Sequence, residues 1–132
     1  MARILGIDYG TKRIGVALSD DAGTMAFPHA TLDAGDNIIE KIRALCEREG
    51  VGEIVVGLPQ ALGSMSDTAM TALVRAFGES LKKIGLPIEF EPEFLSTGEA
   101  KDSGATKKEH IDASAAAIIL QSYLERKKNM IQ

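Results

Sequence analysis

The chain holds little of what would place it at a glance. Its 132 residues include one cysteine, Cys46, which excludes an internal disulfide and a multi-cysteine zinc site. No run approaches the roughly 18 apolar residues of a membrane span. The N-terminus lacks the basic leader and apolar stretch of a signal peptide, so a cytoplasmic protein without membrane association is expected. No linker, repeat or low-complexity tract interrupts the sequence, and residues 1–132 read as a single domain. An excess of positive charge is missing too. Fifteen basic and 19 acidic residues leave a formal charge of −4, which argues against a wide phosphate-gripping surface. The basic residues gather at Lys12–Arg13, Lys107–Lys108 and Arg126–Lys128. The last group suits a helix C-terminus; the first two lie near candidate acids.

Against these absences stands a rich apolar pattern, 45% of the residues being hydrophobic. Apolar runs predict strands over 2–8, 13–19 and 24–31, with Pro28 pushing the third to a sheet edge. Asp36 reads as the N-cap of a helix whose stripe is Ile38, Ile39, Ile42, Leu45 and Cys46, stopped by Gly50. Cys46 therefore belongs to the core. A short buried strand at Glu53–Gly57 precedes the loop LPQALGSMS. Met70, Leu73, Val74, Phe77 and Leu81 form the next helical face, and Ile88–Glu91 a final short strand. Two capping boxes follow, Ser96 with Glu99 for a short helix and Thr106 with Glu109 for a longer one reaching about Lys127. Three hairpin-linked strands followed by alternating helices and strands predict an α/β fold. Its sheet has five mixed strands, three antiparallel then two parallel, with helices on both faces.

The segment GIDYGTKRIGVALSD, residues 6–20, carries the chemistry. Asp8 ends the first strand on the face shared by Ile4 and Gly6. A charge there is costly to desolvate unless paired, hydrogen-bonded or holding a metal; turns and caps also place acids at strand ends. Asp112 shares a helical face with Ala116, Ile119 and Tyr123, the side expected to pack on the sheet. Two converging carboxylates repel unless a cation lies between them, and hard oxygen donors suit Mg²⁺ or Mn²⁺.

Three segments together resemble the YqgF/RuvX family of small RNase H-like proteins: GIDYGTKRIGVALSD, IVVGLP at 54–59 and HIDASAAAIILQSYL at 110–124. The resemblance spans nearly the whole chain. It implies a metal-dependent endonuclease that hydrolyses phosphodiester bonds of structured nucleic acid, with Asp8, Glu93 and Asp112 as metal-binding catalytic acids. Processing of the 5′ end of pre-16S rRNA, on ribosomal precursor particles, is the substrate reading that follows. Branched DNA, as for a Holliday junction resolvase, is the alternative. Lys12, Arg13, Lys107, Lys108, Ser96 and Thr97 are the expected substrate contacts, and His110 is read as structural.

The sequence departs from the family pattern at two places. PEFLST puts Pro92 and Phe94 where the family has Asp and Arg, which leaves Glu93 as the third acid and Glu91 as its substitute. ALGS replaces an Asn and an Asp-Gly in the loop after Pro59. These departures and the net acidity also fit a non-catalytic RNA- or ribosome-associated module. Asp-x-Gly-Thr at 8–11 resembles the phosphate hairpin of actin-like ATPases as well, but those clamp nucleotide between two such domains.

Overall fold

The computed structural model describes residues 2–61, 69–95 and 108–131. Five strands form one sheet in the order β3-β2-β1-β4-β5. They are β1 (Arg3–Asp8), β2 (Arg13–Ser19), β3 (Ala26–Asp33), β4 (Val51–Ala61) and β5 (Ile88–Leu95). β1 pairs antiparallel with β2, and β2 with β3; β1 pairs parallel with β4, and β4 with β5. The mixed sheet is the one expected, with the Asp8 strand at its centre. β3 is an edge strand, and its register slips between the Val16–Ala30 and Ala17–Pro28 pairs. One extra residue there, His29, forms a bulge beside a proline that cannot donate to the ladder.

Strand alternation divides the core in two. Leu5, Ile7, Ile14, Val16, Ile54 and Val56 meet helices α1 (Ile38–Glu49) and α2 (Ala69–Leu81) on one face. Ile4, Ala17 and Val55 meet Ala116, Ile119, Leu120, Tyr123 and Leu124 of α3 (Lys108–Ile131) on the other. Each fully buried aliphatic side chain contributes about 1.5–3 kcal/mol relative to exposure. α1 ends as expected at Gly50, which takes the left-handed conformation (φ 69°) and donates its N–H to the Cys46 carbonyl. Cys46 is buried, and desolvation pushes its thiol up to about 11, as befits an inert core residue. No helix among the described residues is long and apolar enough to cross a membrane.

The structure corrects several local expectations. The N-cap of α1 is Asn37, without a side-chain capping bond, rather than Asp36. Leu73 is exposed, and the buried face of α2 runs through Thr71, Val74, Phe77, Gly78 and Leu81 instead. Thr71 is held there by donating its hydroxyl to the Pro59 carbonyl at 2.8 Å. β4 and β5 are both longer than their apolar runs suggested, staying paired through Ala61–Leu95. Pro92 is tolerated inside β5 because that strand lies at the sheet edge. Glu93 is thus a strand residue, not part of a following loop.

Candidate active site

Asp8 closes β1 on the α3 side of the sheet and stands opposite Gly15 of β2. Gly15 makes the site possible. A Cβ on it would fall 1.9 Å from the Asp112 carbonyl oxygen, so only a residue without a side chain lets α3 descend here. The helix backbone carrying Asp112 is thereby set down beside Asp8. On the other flank, one step beyond the Ile7–Val56 pair, comes Gly57 of β4. The Glu93 carboxylate reaches back over it, its Oε2 3.3 Å from where a Gly57 Cβ would be. A glycine on each side of Asp8 clears the space into which the two other acids lean. Tyr9, the next residue, stacks on Phe77 of α2 with ring centroids 4.7 Å apart, which anchors the chain as it leaves β1.

The electrostatics record this convergence. Asp8 is pushed from 3.8 up to about 7, first by desolvation, then by the charges of Glu93 and Asp112. Burial also raises Glu93. Neither Asp8 nor Glu93 makes an ion pair among the described residues, whereas Asp112 faces Arg13, its Oδ2 3.8 Å from Nε. The donor set is all carboxylate oxygen, the chemistry that Mg²⁺ and Mn²⁺ favour. Among the described residues, no three His, Cys, Asp or Glu side chains lie close enough to enclose an ion as they stand. The three acids are therefore neighbours without forming a closed shell.

Lys12 is exposed at the tip of the β1–β2 turn. Lys107, Ser96, Thr97, Glu99 and Thr106 lie outside the described residues, as do the side chains of Lys108, Glu109 and His110, so neither proposed capping box falls within them. Glu91, the substitute acid, is not available to the site. Its buried carboxylate accepts two bonds from Arg126, at 2.6 and 3.1 Å. Arg126 and Lys127, read from sequence as helix-end charges, lie over the sheet instead, Lys127 3.4 Å from Glu53. Sequence reasoning missed Gly15 and the Arg13–Asp112 pair. The hint for the first was a glycine standing opposite an acid across the predicted hairpin.

A five-stranded mixed sheet with a carboxylate at the end of its central strand, crossed by a long helix, defines a protein of the RNase H-like fold. The sequence model of the RuvX family, described as Holliday junction resolvase, matches residues 2–126. A protein of Nitratidesulfovibrio vulgaris (strain DSM 19637 / Miyazaki F), named "Putative pre-16S rRNA nuclease", is 44% identical over 132 residues, covering 92% of each chain. One of the same name from Moorella thermoacetica is 42% identical, covering 94% of this chain and 95% of its own. The chain belongs to the RuvX family of nucleases. Among solved structures, Thermus thermophilus RuvC matches with a TM-score of 0.57 at 12% identity over 96% of both chains. The fowlpox virus Holliday junction resolvase gives 0.53 at 15% identity, covering 94% of this chain and 99% of that one. At such identities the likeness speaks for the fold.

Proposed function

We propose that this chain, acting as one domain, is a divalent-metal-dependent endonuclease that trims the 5′ end of pre-16S rRNA in the cytoplasm, on ribosomal precursor particles. The observation that carries the chemistry is the coupled trio of carboxylates, with Asp8 raised to about 7 by burial and by its two acidic neighbours. The rRNA substrate rests on the names of the relatives at 42–44% identity.

Asp8, Glu93 and Asp112 would hold the ion. The chemistry such an ion would supply is a lowered pKa for an attacking water and stabilisation of charge on the leaving oxygen. The chain's own part is to supply anionic donors already stripped of most of their water, which strengthens every charge interaction inside the site. Asp8 must lose its proton before it can serve, so cation binding and proton release are coupled. Lys12 of the β1–β2 turn and Arg13 at the start of β2, with Lys107 and Lys108, are the proposed phosphate contacts, and Ser96 and Thr97 are further proposed substrate contacts.

The test is cleavage of a pre-16S rRNA 5′ fragment and of a four-way DNA junction, each with Mn²⁺ or Mg²⁺, by the parent and by Asp8→Asn and Asp112→Asn. Cleavage of the RNA by the parent alone is the expected result. Preference for the junction would transfer the assignment to branched DNA. Cleavage by both variants at the parent's rate would mean that the acids are structural.

A further inference from the structure

We infer that Arg13 is a displaceable counter-ion of the site, held by Asp112 until a divalent cation takes its place and then released toward the substrate's phosphates. The inference deepens the reading above and rests on it.

Geometry sets Arg13 apart from Arg126, the cation at the other end of α3. It is the first residue of β2, two positions before Gly15, and therefore on the same face. The close descent of α3 onto Gly15 brings Asp112 over that face. In the sheet register Arg13 stands opposite Asp33 of β3, yet its guanidinium is drawn to Asp112. The contact is loose. At 3.8 Å it lies beyond hydrogen-bond range, and the two side chains remain 34% and 26% exposed. Arg126, by contrast, grips Glu91 with two bonds, and that carboxylate is 8% exposed. An ion pair as loose as Arg13–Asp112 stabilises little and exchanges readily.

Arg13 and a divalent cation would share the same carboxylate. A divalent cation held by these carboxylates would compete with the guanidinium for Asp112 and repel it. Arg13, at the start of β2 beside Lys12 of the turn, would then leave Asp112 at the rim of the site. Its planar fork matches a phosphodiester's oxygens. The same residue therefore opposes cation binding in the free protein and favours nucleic acid once the cation is bound. Thermodynamic linkage makes the coupling reciprocal: the cation should raise nucleic-acid affinity, and part of that rise should depend on Arg13.

The experiment is isothermal titration of the full chain with Mn²⁺ alone, for the parent, Arg13→Gln and Arg13→Lys. It is paired with fluorescence anisotropy of a labelled RNA hairpin, measured in EDTA and in Ca²⁺. Arg13→Gln should bind Mn²⁺ about fivefold more tightly than the parent, the scale of one exposed ion pair. Arg13→Lys, which keeps the charge, should stay near the parent. The increase in RNA affinity on moving from EDTA to Ca²⁺ should shrink in Arg13→Gln. An arginine that merely braced α3 against β2 would leave Mn²⁺ affinity unchanged or weakened on removal, and that result overturns the inference while leaving the metal site intact. If neither the parent nor Arg13→Gln binds Mn²⁺, the metal reading falls and the inference with it.

Discussion

Glu91 and Glu93 stand two residues apart on β5, on the same face, and meet opposite fates. Glu91 is buried and paired by two bonds to Arg126. Glu53, one strand over, accepts a 2.5 Å hydrogen bond from the Tyr123 hydroxyl and faces Lys127. Arg126 and Lys127 also lie 5.6 and 5.7 Å from the Tyr123 ring centre. Glu93 has no ion pair among the described residues, and burial raises its pKa. The difference comes from α3. Its C-terminal half lowers two cations onto the sheet's acids, while its N-terminal half lowers another acid, Asp112, beside Asp8. One end of the helix neutralises the sheet and holds the fold; the other gathers three acids against the single loose pairing of Asp112 with Arg13 among the described residues. Functional sites are where such departures from local consistency are expected.

Removing each of the two glutamates tests this contrast most sharply. Glu93→Gln should lower cleavage by about 10³-fold, the several kcal/mol that metal assistance contributes, with stability unchanged or raised. Parent-like cleavage would remove Glu93 from the site and erase the contrast. Gly15→Ala attacks the point on which the geometry turns. Its methyl meets backbone, not a flexible side chain, so α3 must shift away from β2. A loss of about 3 kcal/mol, at the upper end for overpacking, is expected in denaturant titration, together with loss of the Asp8–Asp112 coupling. Retained stability would show that the helix is not seated as closely as described. Glu91→Gln should have the smallest effect, a loss of about 1–2 kcal/mol, because the half-exposed Arg126 left behind can turn to water. Cleavage per folded molecule should stay close to the parent's. A collapse of activity without loss of stability would make Glu91 a site residue after all.

Much of this architecture was legible in the sequence because it is local. Alternating apolar residues specify β1, β2 and the faces of α1 and α3, and the short polar turn after Asp8 sets the hairpin. The full length of β4 and β5 was not legible. Pro59 and Pro92 look like strand breakers, and only the edge position of β5 and the pairing of both strands through Ala61–Leu95 show why they are not. Leu73 fits a helical stripe by spacing, but the sheet meets the neighbouring stripe through Thr71 and Gly78, where Phe90 packs against the glycine. The site divides the same way. Asp8 and Asp112 are visible as acids on faces that pack inward. Their convergence over Gly15, the Arg13–Asp112 contact and the capture of Glu91 by Arg126 join residues 35 to about 100 positions apart, and no local pattern encodes such pairings.

Asp8 is held at a cost in the absence of a cation, and the pH dependence of stability measures that cost. The folded chain raises the Asp8 carboxyl from 3.8 to about 7, so between those values the native state binds more protons than the unfolded chain. Stability must therefore fall as pH rises from about 4 to about 7, and level off above. Asp8→Asn has no proton to lose and escapes that part of the decline. Denaturant unfolding of both proteins in EDTA, from pH 4 to pH 8, should show curves that diverge across this window. At pH 8 the variant should be the more stable by on the order of 2–4 kcal/mol, and saturating Mn²⁺ should stabilise the parent and narrow the gap. A variant less stable than the parent at pH 8, or a gap that does not change with pH, would show that Asp8 carries no such cost.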